Sequence, residues 1–211
     1  MMELLTFGDT GWGDELLLSM VMTILVSTSS LAFGLLIGTI FASFKLSNSY
    51  ILKTIAEFYT TVVRGVPELL VIYLLFFGGS GAVMYVAKIF GHMGYIELSP
   101  FTIGTIAVGA ISGAYSTEVI RGAILAVPKG QFEAARTLGM KKYALSFTII
   151  FPQVARLALP GIGNVWQVTL KDTALISVTG LVEIMRQSKI AAVSTHEPFL
   201  FYTVAIILYL F

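Results

Sequence analysis

The sequence predicts an all-α membrane protein. Of its 211 residues 56% are hydrophobic and only 12% charged, where a soluble domain carries about 25% charged residues. The apolar residues gather into five stretches, and Lys and Arg are shared unequally between the segments that separate them. One transmembrane domain over residues 1–211 is expected, with spans at about 16–44, 66–87, 98–119, 153–170 and 198–211.

Met1 to Glu15 carries Glu3, Asp9, Asp14 and Glu15 and no Lys or Arg. A cleaved leader needs a basic start, so the first apolar run is expected to remain as a span. That run, Leu16 to Phe44, has 29 residues without a charge, and a spanning helix needs about 20. Gly34, Gly38 and Ala42 recur every four residues in it, as Gly109 and Gly113 do in the third span. Such spacing lets helices approach closely in lipid. The two faces could join helices of this chain or join it to a second subunit.

Leu69 to Ala87 has 19 uncharged residues, broken by Gly78-Gly79-Ser80-Gly81, and the second span should begin just before Glu68. Pro67 suits a helix start, where its missing N–H costs nothing. Arg64 is expected at the cytoplasmic headgroups. Leu98 to Thr117 supplies 20 residues for the third span. The fourth, Gln153 to Leu170, can cross if Arg156 snorkels. Pro160, Gly161 and Gly163 within it imply either a kink or close packing. Thr173 to Val182 is too short to span and reads as a buried half-helix. The last run, Pro198 to Phe211, has 14 residues and stops in mid-pattern, so the natural chain is expected to extend a little further.

Lys and Arg in the loops set orientation. With the acidic N-terminus outside, the inside carries Lys45, Lys53, Arg64, Arg121, Lys129, Arg136, Lys141, Lys142 and Arg156. The outside carries Lys88, Lys171, Arg186 and Lys189. Nine against four predicts a periplasmic N-terminus and a cytoplasmic C-terminus.

The composition also excludes classes of function. Without cysteine there are no disulfides or thiolate metal sites. His92 and His196 are isolated and read as loop residues, so no metal is expected. A net charge of +1 gives no reason to expect nucleic acid. No phosphate-binding G-x-x-x-x-G-K-[ST] loop is present, so this chain should not hydrolyse ATP.

Ionisable groups at membrane depth are costly and usually face a cavity or a partner. Glu68, Glu118, Lys171 and Asp172 qualify. Glu118 and Arg121 are three apart and could pair with each other, or Glu118 could face a pocket. Lys171 and Asp172 point apart on a regular helix. Asp172 with Lys171 and Thr173 could meet both ends of an amino acid, and intramembrane carboxylates favour cationic ones.

The polar stretch at about 128–152 contains a helical face with Phe132, Ala135, Arg136 and Gly139 at i, i+3, i+4, i+7. Gly139 can end that helix with positive φ. Within it, Glu133-Ala134-Ala135, Gly139, Ile149 and Phe151-Pro152 resemble the EAA motif of ABC importer permeases, Phe151 standing where the motif has Leu. Other stretches resemble the polar amino-acid branch, which serves histidine, arginine, glutamine and opines. These are Val63-Arg64-Gly65-Val66-Pro67-Glu68-Leu69-Leu70, Ala114-Tyr115-Ser116-Thr117-Glu118-Val119-Ile120-Arg121-Gly122, Val127-Pro128-Lys129-Gly130-Gln131 and Leu170-Lys171-Asp172-Thr173-Ala174-Leu175. Glu68 departs from the branch, which often has an uncharged residue there.

The resemblance implies a type I importer core of five helices in the bacterial inner membrane, with 128–152 as a cytoplasmic coupling region. Gln131, Glu133, Ala134, Ala135 and Gly139 would dock on a separate dimer of ATP-binding cassette subunits. ATP and Mg would be bound there and no cofactor by this chain. A second permease subunit, identical or related, would complete the path, and a periplasmic binding protein would deliver the amino acid. Glu68, Glu118, Lys171, Asp172 and Thr173 would line the path. The competing reading is a self-sufficient secondary carrier or channel using Glu118 and Asp172 as proton sites.

Overall fold

A computed structural model describes residues 2–8, 11–90 and 99–210 of the chain. His92 and Leu98 lie outside the described residues. The helices are α1 (Gly13–Leu46), α2 (Tyr50–Gly65), α3 (Glu68–Tyr73), α4 (Gly79–Ile89), α5 (Pro100–Ala126), α6 (Lys129–Thr137), α7 (Lys142–Ala144), α8 (Phe151–Asp172), α9 (Ile184–Thr195) and α10 (Pro198–Leu210). A short 3-10 turn, Met2–Leu5, precedes α1.

Among the described residues four stretches are long and apolar enough to cross a membrane: Gly13–Leu46, Glu68–Val86, Pro100–Ala126 and Leu145–Thr179. The expected fifth span is the 13-residue α10, shorter than the roughly 20 residues a bilayer requires.

The packing begins with α1 against α5, the most extensive helix pair in the chain. Gly34, Gly38 and Ala42 form part of the buried stripe on α1. A Cβ added to Gly34 would sit 2.0 Å from Ser112 Oγ, and one on Gly38 would sit 2.7 Å from Ser116 Cβ. The small-residue spacing therefore serves contact within this chain. Ser19, Thr23 and Ser27 on the same stripe donate to carbonyls of their own helix at 2.8, 3.0 and 3.1 Å, which satisfies these three hydroxyls in a low-dielectric core. Leu17, Leu18, Val21, Leu25, Leu36 and Ile40 on α1 remain exposed, as a lipid-facing surface requires.

Three boundaries differ from the sequence expectation. The glycines at 78–81 do not break the second span. The helix loosens to a π-turn over Leu74–Gly78 and continues as α4. In an apolar setting an unpaired backbone amide is too costly for the helix to stop there. The fourth span is longer than Gln153 to Leu170. It begins as a π-turn at Leu145–Ile150, runs through α8, and tightens into a 3-10 turn at Thr173–Thr179. The anticipated half-helix is thus the tail of the fourth span, and Gly180, at φ 100°, ends it. Inside α8, a Cβ on Gly161 would lie 2.7 Å from Val119 Cγ1, so that glycine permits close packing on α5.

Two helices were not anticipated. α2 packs on α1 and α5, with the Tyr59 hydroxyl donating to the Ala110 carbonyl at 2.5 Å. α9 packs on α10 around Phe201, Ala191, Ala192 and Leu16.

Candidate functional site: a cluster of polar side chains from four helices and a short exposed helix

Pro67 separates α2 from α3 and sets Glu68 in the first turn of α3. From α5, the Tyr115 hydroxyl donates to Glu68 Oε1 at 3.3 Å. From the end of α8, the Asp172 carboxyl comes within hydrogen-bond reach of Glu68. Arg64, in the last turn of α2, lies with its Cζ 5.4 Å from the centroid of the Tyr115 ring, a cation–π distance. Four helices thus bring two carboxyls, a phenol and a guanidinium together. Asp172 is buried, Glu68 and Tyr115 are half-buried, and Arg64 is exposed, so the cluster opens onto the surface of the single chain.

Arg64 is exposed at the end of α2, and its neighbour Val63 packs against the core of Val26, Ile72 and Ile111.

The other candidates separate from this cluster. Glu118 is held by Lys45 Nζ at 2.5 Å and by Arg121 Nη2 at 3.0 Å. The i, i+3 pair exists, and Lys45 joins it from the last turn of α1. Lys171 is exposed and borders a cavity of about 450 Å³ with Thr23, Trp166, Gln167 and Tyr209. Thr173 is fully buried and donates to the Leu170 carbonyl at 2.7 Å. Among the described residues no three metal-capable side chains converge.

The second feature is α6, the short helix that follows α5 across Val127 and Pro128. Its C-terminus closes with a Schellman pair. Met140 N–H donates to the Ala135 carbonyl at 3.0 Å and Gly139 N–H to the Arg136 carbonyl at 3.0 Å. Gly139 supplies the required positive φ of 69°. Glu133, Ala134, Arg136, Leu138 and Gly139 are exposed, whereas Ala135 is buried. Of the face anticipated from the sequence, Ala135 is turned into the chain while Arg136 and Gly139 are offered outward. Gln131 is half-buried, and its side-chain carbonyl accepts from the Gln153 amide, tying α6 to the start of α8.

Residues 34–211 match the family described as binding-protein-dependent transport system inner membrane component. The chain belongs to this family. It is 52% identical over 210 residues to the nopaline transport system permease protein NocQ of Agrobacterium fabrum, covering 99% of this chain and 89% of that one. It is 50% identical over 208 residues to the octopine transport system permease protein OccQ of Rhizobium radiobacter, covering 99% and 88%. With the histidine/lysine/arginine/ornithine transport system permease protein HisQ of Escherichia coli it shares 42% identity over 200 residues, covering 95% and 87%. A crystal structure of an amino acid ABC transporter with histidines superposes with a TM-score of 0.78 at 32% identity, covering 94% of this chain and 87% of that one.

Membership sets aside the self-sufficient carrier. It makes the chain an inner-membrane component of a transport system whose energy source is elsewhere. Two groups escaped the sequence reading. Tyr115 stood inside the Ala114–Gly122 motif, three residues before Glu118, but an aromatic in a span is ordinarily core. Glu183 is fully buried and carried no N-cap signal in the sequence, because that pattern uses Ser, Thr, Asp or Asn.

Proposed function

We propose that this chain is the membrane-spanning permease subunit of an ATP-driven importer for opines or basic amino acids. One observation carries the reading, the meeting of Glu68, Asp172, Tyr115 and Arg64. A cationic side chain or ammonium crossing a membrane needs an anionic partner, because an unpaired charge in low dielectric is expensive. Glu68 and Asp172 supply it. The substrate also carries at least one carboxylate, and a guanidinium binds carboxylates through two parallel hydrogen bonds. Arg64 is placed to do this beside Tyr115. Lys171 and Thr173 border the path, and Glu118 acts from outside the cluster.

The permease works as a single transmembrane domain of five spans, α10 completing the fifth in an assembled dimer with an identical or related chain. Its N-terminus is periplasmic and its C-terminus cytoplasmic, in keeping with the loop charges. A periplasmic binding protein delivers substrate. ATP and Mg are bound by two ATPase subunits, on which Glu133, Ala134 and Gly139 of α6 dock. Gln131 and Ala135 hold α6 to the rest of the chain, and Val127-Pro128 passes its movement directly into α5. That linkage supports rocking of the spans between inward-open and outward-open forms.

The test is reconstitution of the complete complex in liposomes with its binding protein. Uptake of octopine, nopaline or L-arginine that requires ATP and survives a protonophore supports the proposal. Uptake driven by a proton gradient without ATP, or none for all three compounds with ATPase turning over, overturns it.

A further inference from the structure

Behind the Glu68–Asp172 cluster stands a second polar group that nothing in the transport reading uses. Glu183 is fully buried. It accepts from Met185 N–H at 2.8 Å and Arg186 N–H at 2.7 Å, capping α9. It also accepts from the Tyr209 hydroxyl of α10 at 2.7 Å. Thr23 and Tyr209 border one cavity of about 450 Å³. Thr23, on α1, accepts from Ile184 N–H at 3.2 Å. Arg186 reaches back across the Gly180 turn to donate to the Ser177 carbonyl at 2.9 Å.

A cap alone does not account for Glu183. Ser would cap α9 at a lower desolvation cost than a buried carboxyl. Burial pushes the Glu183 carboxyl up from its ordinary range, while the hydrogen bonds from Met185, Tyr209 and Arg186 pull it back. What the longer side chain adds is reach to Tyr209 of α10. The start of α9 is thereby fixed by α1 and α10 together, and Arg186 in its first turn ties it to Ser177 in the segment Thr173–Thr179.

That segment is where α8 tightens from α to 3-10 geometry, and Asp172 is the residue before it. An α-helix turns about 100° per residue and a 3-10 helix about 120°. If the segment relaxed to α geometry, Asp172 would rotate against the Arg186 anchor by roughly 20° per residue released. A swing of that kind removes a carboxyl from its partner.

We propose that Glu183, Tyr209 and Thr23 are positioning residues that, through the start of α9 and Arg186, hold the Thr173–Thr179 turn and keep Asp172 in register with Glu68, so that α1 and α10 set the geometry of the substrate cluster. The inference rests on the reading of Glu68 and Asp172 as substrate carboxylates.

The experiment measures equilibrium binding of radiolabelled octopine, nopaline and L-arginine to the purified complex of both permease subunits and both ATPase subunits, without binding protein. Basal ATPase activity reports assembly. Tyr209→Phe and Thr23→Val should weaken binding about tenfold, the effect of losing one well-placed hydrogen bond, with basal ATPase activity retained. Thr23→Ser, which restores the hydroxyl, should bind within about twofold of wild type. If Tyr209→Phe does not assemble, the Thr23→Val and Thr23→Ser pair decides. Wild-type affinity in Thr23→Val, or equal losses in Thr23→Val and Thr23→Ser, overturns the positioning role. Asp172→Asn separates the two ideas. If it weakens binding while Thr23→Val does not, only the positioning role falls. If it leaves binding unchanged, or wild type binds none of the three probes, the substrate reading falls and the positioning role with it.

Discussion

Lys45 Nζ lies 2.5 Å from Glu118 Oε1, joining the last turn of α1 to α5 across 73 residues of sequence. The Lys45 side chain is 12% exposed and that of Glu118 23%, and Arg121 takes the other carboxylate oxygen through Nε at 3.0 Å. This is a clamp between two spans just above the α5–α6 junction. Glu118→Gln should therefore leave substrate preference unchanged and lower stability. The loss should fall between the ~0.5 kcal/mol of an exposed pair and the ~3 kcal/mol of a buried one. Thermal unfolding in detergent measures it, and the Lys45→Glu, Glu118→Lys double exchange should recover part. A changed substrate preference in Glu118→Gln would return Glu118 to the path.

The contact of α1 with α5 predicts a second outcome. Gly38→Leu has no room, because a Cβ there already meets Ser116 Cβ at 2.7 Å and the Thr117 backbone nitrogen at 3.1 Å. Backbone cannot yield as a flexible side chain can. The two helices must separate, at a cost of about 1–3 kcal/mol, read as lost folded permease in size-exclusion profiles. Gly122→Ala is the control, since nothing lies within 4 Å of its Cβ position. It should be neutral or stabilising by up to ~1 kcal/mol.

These contacts show how far the sequence could be read. The spans were legible because hydrophobic length is a one-dimensional property. The stripe of Gly34, Gly38 and Ala42 announced a close contact but not its partner, which only the Ser112 and Ser116 distances identify. The Gly139 helix end was readable because positive φ is a local demand. Arg64, Tyr115, Glu68 and Asp172 lie on four separate helices, and no spacing rule joins them. α2 and α9 were missed for a related reason. Both are moderately polar and too short to span, so their helicity depends on neighbours that cover one face.

Asp172 and Glu68 predict the third outcome. Asp172→Asn removes a carboxyl from the cluster while keeping its shape. A charge-assisted hydrogen bond to a cationic substrate contributes about 1.5–3 kcal/mol, so uptake should fall roughly 10- to 100-fold. Capture of the ATPase subunits should be unchanged, because none of the cluster residues lies on α6, which begins beyond the end of α5. Glu68→Gln should act in the same direction. Uptake measured at saturating binding protein checks both, and unaltered uptake in the two variants would remove the cluster from the path.

Gly139 carries the last prediction, and its two substitutions separate backbone strain from docking. At φ 69° any side chain is strained, yet nothing in the chain lies within 4 Å of a Cβ built there. Gly139→Ala should cost about 1 kcal/mol locally and still capture the ATPase subunits on co-purification. Gly139→Trp carries the same backbone strain and adds bulk beside exposed Leu138 and Glu133. It should lose capture while the spans remain folded, as judged by a monodisperse detergent profile. Equal capture by both variants would mean that the α6 surface does not meet the ATPase. Equal loss in both would mean that the Schellman turn itself, rather than the space beside it, is what the ATPase requires.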